Sequence, residues 1–323
     1  MKLNLYQKTA LSTIAATLFL IMVGGIVRAA GAGLGCPDWP KCYGLWIPPM
    51  HVSELPPGFN VDSFNAFKTW TEYINRLIGV LVGFFIAANF LTSLRYRKSK
   101  PSVTISSLLA LILVLFQAWL GGQVVRSGLA SGMITLHMLL AMIIVGVLLY
   151  ASFRSKEDFV ELRMSHKSKQ QFLRLGIIIG VLSIIQMILG TQVREAIDIV
   201  NEGIGIIDRS LWIEQSGVIY KVHRSFSWLL IITIALLFYR ILKFSKNQLG
   251  TTTAGMKGFV LLGYAIPIGV LSQFIIGVGL QWLDMPRALQ VLHLVGVSFL
   301  LSFIFIFVLM LSQRTKAFEE VDS

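Results

Sequence analysis

Three histidines, His137, His223 and His293, stand inside apolar runs that hold almost no other ionisable side chain. An imidazole in the hydrocarbon region of a membrane is expensive to desolvate, so its presence points to function before packing. Each falls one or two turns from one end of its run. Two imidazoles on separate helices, with no carboxylate or thiolate at the same depth, do not make a tetrahedral zinc set. Axial ligation of a haem fits better, because the porphyrin supplies the four equatorial nitrogens itself. Arg28, Arg76, Arg126, Arg194 and Arg224 gather at the same ends of the runs, where guanidinium forks can hold haem propionates. Snorkelling interface arginines are the alternative reading of that pattern.

A further cluster lies in "TWTEYINRLIGV", residues 69–80. At helical spacing Glu72, Asn75, Arg76 and Gly79 share one face. Glu72 sits near a helix N-terminus, where the backbone dipole favours a carboxylate. It reads either as an acid–base group or as a capping residue paired with Arg76. His51 and His166 lie outside the apolar runs and read as solvated.

The elements that must position these groups are membrane spans. Hydrophobic residues make up 55% of the 323-residue chain and charged residues only 14%, with a mean hydropathy of +0.74. That composition excludes an ordinary soluble domain. Stretches long enough to span fall near 9–29, 70–94, 103–125, 132–152, 172–193, 222–240, 258–281 and 287–311. The first is longer than the apolar core of a signal peptide and reads as a retained helix. With the N-terminus placed in the cytoplasm, that side carries 18 Lys/Arg against 6 acidic residues, and the other side carries 10 against 10. The net charge of +12 is therefore topological and not a nucleic-acid footprint. It places both termini in the cytoplasm of a multi-pass protein of the cell inner membrane.

The spans repeat. "VGGIVR" (23–28), "QAWLGGQVVR" (117–126), "QMILGTQVR" (186–194) and the weaker "QFIIGVGLQ" (273–281) align Gly24, Gly121, Gly190 and Gly277, and Gln117, Gln186 and Gln273. "EYINRL" (72–77) matches "YKVHRS" (220–225), and "ITLHML" (134–139) matches "QVLHLV" (290–295). Asn75 thus aligns with His223, and His137 with His293. The predicted fold is all-α: a polytopic membrane protein with eight transmembrane helices, built as two tandem four-helix bundles (1–165 and 166–323) related by a pseudo-twofold axis near the membrane normal. Gly79 and Gly83 form a small-xxx-small face suited to close helix contact, and the odd-span glycines suit the same role or leave room for a flat macrocycle.

Cys36 and Cys42, in "GCPDWPKCYG", fall in the first external segment. An oxidising compartment favours pairing them as a structural staple, with a reversible dithiol or two independent thiols as the alternatives.

The blocks "GGIVRAAGAGLGCPDWPKCYG" (24–44), "EYINRLIG" (72–79), "LGGQVVRSGL" (120–129) and "VHRSFSW" (222–228) together resemble the haem A synthase family. The resemblance runs in order along almost the whole chain. It implies oxidation of the ring methyl of haem O to a formyl group, giving haem A for cytochrome oxidase. It implies a resident haem b ligated by His223 and His293, with Arg194 and Arg224 beside it. It also implies a substrate site for haem O in the N-terminal half, with His137, Asn75, Arg28, Arg76 and Arg126 around the substrate and Glu72 as the catalytic carboxylate. The cysteine pair resembles the family's external disulfide. Implied partners are haem O, an electron donor, a haem O synthase and the oxidase assembly, within a lipid bilayer and without nucleic acid. A b-type electron carrier and a non-catalytic haem-binding or transport protein are the other classes the residues admit. The chain departs from the family at one ligand position: the pattern Glu-x-x-His-Arg on the second span is here Glu72-Tyr73-Ile74-Asn75-Arg76. Haem O would then be held through His137 alone, with one axial face open or bound to water, or else this half is inactive.

Overall fold

The computed structural model describes residues 3–156, 162, 164–203, 211–246 and 253–313. Eight long helices carry the fold: α1 (Leu5–Ala29), α2 (Ala66–Ser93), α3 (Pro101–Arg126), α4 (Met133–Arg154), α5 (His166–Gly203), α6 (Val218–Lys246), α7 (Ala254–Trp282) and α8 (Arg287–Ser312). Every one is long and apolar enough to cross a membrane. Among the described residues the extended backbone pairs at one isolated bridge, Cys42 with Leu45. The chain is thus an all-α, multi-pass membrane protein, as its composition requires.

Local sequence explains where the helices start. Asn4 opens α1 as a capping box: its side chain accepts the Gln7 N–H at 3.0 Å, and the Gln7 amide accepts the Asn4 N–H at 3.1 Å. Asn65 accepts the Lys68 N–H at 3.0 Å, so α2 begins four residues before the expected edge at 70. Pro101 occupies the first turn of α3, where a missing N–H loses nothing.

Only 22–39% of each apolar window is buried within the protein. Phe84 on α2 and Leu261 on α7, for example, are 66% and 69% exposed. Such faces are stable in lipid and not in water, because exposed apolar area in water costs about 25 cal/mol per Å².

Contacts divide the chain into two compact units, residues 1–155 with 286–295, and residues 156–285 with 296–323. In the first, α1 packs on α2 and α4, and α3 packs on α2 and α4, which closes a four-helix bundle. Ile14, Val82, Ile86, Ala110, Ile144 and Leu148 form its core. At the end away from the cysteine loop, a buried Tyr6 hydroxyl bonds the Ser107 hydroxyl at 3.1 Å, and the Asn4 amide donates to the Tyr96 hydroxyl at 2.8 Å. Polar pairs of this kind tie helices together where lipid gives no hydrophobic drive. In the second unit, the Phe259 and Phe307 rings stack at 5.1 Å, and Phe172 meets Phe259 edge-on at 5.2 Å. Gly176 of α5 admits this packing, since a Cβ there would lie 3.1 Å from the Phe307 ring.

Two expectations change. The apolar run of the fifth span ends near 193, yet α5 continues to Gly203. The extension is held by its own small core, in which Ile197 packs with Trp212 and Met285. A hydropathy reading ends a helix where the lipid ends, whereas packing carries this one past it. The Gly79–Gly83 face is also unused for close approach: a Cβ at either position meets nothing within 4 Å.

Candidate functional site

The candidate ligand positions lie early in the even-numbered helices. His137, His223 and His293 are the fifth, sixth and seventh residues of α4, α6 and α8, and Asn75 is the tenth of α2. Each of the first two rings is seated on a glycine of the preceding helix. A Cβ on Gly121 would lie 3.3 Å from the His137 Cε1, and one on Gly190 would lie 3.1 Å from the His223 Cε1. The Gln117 amide donates to the His137 carbonyl at 3.0 Å, and the Gln186 amide donates to the His223 carbonyl at 3.0 Å. A Cβ on Gly24 of α1 would lie 3.9 Å from the Asn75 Oδ1, an ordinary contact without crowding. Two helix pairs thus share one contact. On α3 and α5 the odd helix supplies a glycine gap and a glutamine strap, and the next helix carries the histidine. These glycines serve ring placement, where the sequence reading gave them helix packing first.

The donors fit a haem. The Nδ1 atoms of His137 and His223 and the Oδ1 of Asn75 are buried without a hydrogen-bond partner. A buried polar atom left unpaired costs about 1–3 kcal/mol, so these atoms are poised for a guest and not for packing. His293 lies in the segment of α8 that groups with the first unit, and His223 lies in the second.

Above the first bundle, the loop 36–42 is docked through several bonds. Cys36 and Cys42 form a disulfide, with Cα atoms 4.9 Å apart. Glu72, 4% exposed, accepts the Cys36 N–H at 2.9 Å through Oε2 and pairs with Arg76 Nη2 at 2.5 Å through Oε1. Arg76 Nη1 donates to the carbonyls of Asp38 and Lys41, both at 2.9 Å. The Thr69 hydroxyl donates to the Gly35 carbonyl at 2.8 Å. Gly35 lies so close to α2 that a Cβ there would sit 2.5 Å from the Lys68 carbonyl carbon. Asp38 braces the far side of the loop by accepting the N–H groups of Tyr43 and Gly44. The loop also reaches α3. The Trp39 indole rests on Gly122, where a Cβ would be 2.8 Å away, and Arg126 lies over the ring at 5.8 Å and donates to the Trp39 carbonyl at 3.3 Å.

Sequence reasoning identified Glu72, Arg76, Arg126 and both cysteines but not what joins them. Trp39, Gly122 and Thr69 were missed. The signal available for Trp39 was an aromatic residue between two prolines in a loop closed by cysteines. Of the other arginines, Arg28 closes the last turn of α1, Arg194 pairs with Asp198 at 3.0 Å, and Arg224 lies over the Tyr220 ring at 5.7 Å. Gly122→Ala is expected to lift Trp39 and loosen the loop. Limited proteolysis checks this, with faster cleavage between residues 36 and 65 as the expected outcome.

Known proteins resemble this chain along most of its length. A heme A synthase of Flavobacterium johnsoniae is 25% identical, covering 88% of this chain and 92% of that protein. One of Wolbachia pipientis wMel is 26% identical, covering 88% and 86%. One of Shewanella oneidensis is 29% identical over a shorter stretch, 45% of this chain and 44% of that protein. The COX15-CtaA family, described as cytochrome oxidase assembly protein, matches residues 7–305, and the chain belongs to that family.

Proposed function

We propose that this chain is a haem A synthase: a membrane oxidoreductase that converts the ring methyl of haem O to a formyl group, giving haem A for cytochrome oxidase. The observation that carries the reading is one bundle holding both the His137 ring on its glycine seat and the Glu72–Arg76 pair under the disulfide loop. A plain electron carrier has no need of a buried carboxylate locked beneath an external loop.

In this reading haem O is held in the first unit through His137, with Arg28, Arg76 and Arg126 forming a cationic rim for its propionates. Turning a methyl into a formyl group adds an oxygen atom to the carbon and removes both electrons and protons. An oxidant of the class of dioxygen would take the electrons, and a proton acceptor must stand near the substrate. Glu72 is that group; Arg76 and the Cys36 N–H hold one carboxylate oxygen each and fix its direction. The loop, wedged by Trp39, excludes water from the external mouth. A resident haem b, whose chemistry is one-electron transfer, is proposed from the repeat and the family resemblance; His223 and His293 would hold it, with Arg194 and Arg224 as candidates for its propionates. The charge asymmetry supports an inner-membrane setting with both termini cytoplasmic. A haem O synthase as supplier and the oxidase assembly as recipient follow from the same chemistry.

Co-expression with a haem O synthase, in a host that lacks haem A, tests the proposal. Mass analysis of extracted haems is expected to show haem A or its hydroxylated precursor. Recovery of haems B and O alone, under aerobic conditions with adequate electron supply, would reject the enzyme and leave the electron carrier.

A further inference from the structure

Residues 45–50, which read LWIPPM, follow the disulfide loop directly and are not helical. Within them Trp46, Ile47 and Met50 are 68%, 69% and 58% exposed. Large apolar side chains grouped in this way are unfavourable against water and mark a surface that something covers. The segment is held at both ends. Leu45 and Cys42 exchange two backbone hydrogen bonds, at 2.9 and 3.2 Å. The Trp70 indole N–H donates to the Pro49 carbonyl at 3.2 Å.

The second of these bonds decides what covers the surface. Trp70 is the fifth residue of α2 and shares a helix face with Phe67, Ile74, Leu77 and Leu81, at spacings of three and four. Those four side chains are all exposed, so this is a face that the span gives to lipid. Residues 45–50 therefore sit at the head of a lipid-facing stripe, and the apolar surface runs on from helix to loop. Irregular backbone cannot enter the hydrocarbon core, but it suits the boundary when its donors are satisfied. Pro48 and Pro49 have no N–H, the Leu45 N–H goes to Cys42, and the Met50 N–H goes to the Glu54 carboxylate at 2.7 Å. Lys41 lies over the Trp46 ring, 5.7 Å from its centre. An aromatic ring capped by a lysine suits the depth at which acyl chains meet headgroups.

We infer that residues 45–50 insert into the lipid headgroup boundary at the disulfide-loop end of the first bundle. Trp46, Ile47 and Met50 point to the acyl chains, and the Lys41 ammonium stays among the headgroups. The partner of this surface is the bilayer itself. The inference goes beyond the haem chemistry and does not depend on it. Through the Cys42–Leu45 pairing, the bilayer becomes a further support for the loop whose Cys36 N–H bonds Glu72.

The test uses the full chain in phosphatidylcholine nanodiscs, with Trp46→Phe measured beside wild type. The difference between their tryptophan emissions is the Trp46 signal, and each intensity is taken relative to that in unbrominated lipid. The signal is expected to be blue-shifted. Lipid brominated near the headgroup is expected to quench it about 2-fold more strongly than lipid brominated near the chain ends, as a shallow position requires. Ile47→Asp, measured against its own Trp46→Phe background, is expected to weaken that quenching about 2-fold, since the charge lifts the segment towards water. A red-shifted signal, quenched by aqueous iodide and by neither brominated lipid, overturns the inference. So does a blue-shifted signal that no lipid bromine touches, which gives the surface to a protein partner or a second copy. Quenching that is unchanged in Ile47→Asp also overturns it.

Discussion

Glu72→Gln is expected to lower haem A formation by about 10²–10⁴-fold while both haems stay bound, the loss that follows removal of a positioned acid–base group. The glutamine keeps the length of the side chain, and its amide oxygen still accepts the Cys36 N–H. What it loses is the charge that pairs with Arg76 and the capacity to take a proton. Glu72→Ala removes the anchor as well. Taking one member from a buried ion pair costs about 3–5 kcal/mol, so the loop is expected to come loose in that variant. Haem product analysis alongside external proteolysis separates the two roles. Full activity in Glu72→Gln with a protected loop would reduce Glu72 to an anchor. Lost activity with a protected loop assigns it to the chemistry.

His223→Ala is expected to release the resident haem, with haem affinity falling by more than the 10- to 100-fold typical of removing a residue that merely supports a metal ligand. The Gln186 strap and the Gly190 seat remain, so the helix pair is expected to stay folded around an empty gap. Pyridine haemochrome quantification of the purified protein checks this. Gly190→Ala offers a milder form of the experiment, because its Cβ would press on the His223 Cε1 from 3.1 Å. Retention of the full haem complement by His223→Ala would remove His223 as a ligand.

How much of this was legible in the sequence follows the range of each interaction. The eight spans were readable because a helix in lipid satisfies its backbone internally and needs about 20 apolar residues, a local property. Their edges were less so. Asn65 draws α2 back to Ala66, and packing around Ile197 carries α5 on to Gly203. The candidate ligand positions stood out because an imidazole in an apolar run is costly. The purpose of the glycines was not legible. Gly121 and Gly190 receive rings while Gly79 and Gly83 receive nothing, although all four share the same small-residue signature.

The Glu72–Cys36 bond joins residues 36 positions apart, and Trp39 meets Gly122 across more than 80. No periodicity within a span encodes such a pairing, because it depends on which way a loop folds back over a finished bundle. The sequence by itself determined an all-helical membrane protein, its charge asymmetry, its intramembrane histidines and the amide at Asn75, all set by local composition and spacing. The tertiary structure alone decided that Glu72 and Arg76 grip the disulfide loop, that Trp39 wedges against α3, and that Gly121 and Gly190 make room for rings. Those outcomes depend on which side chains reach the same few ångströms once separate helices have packed.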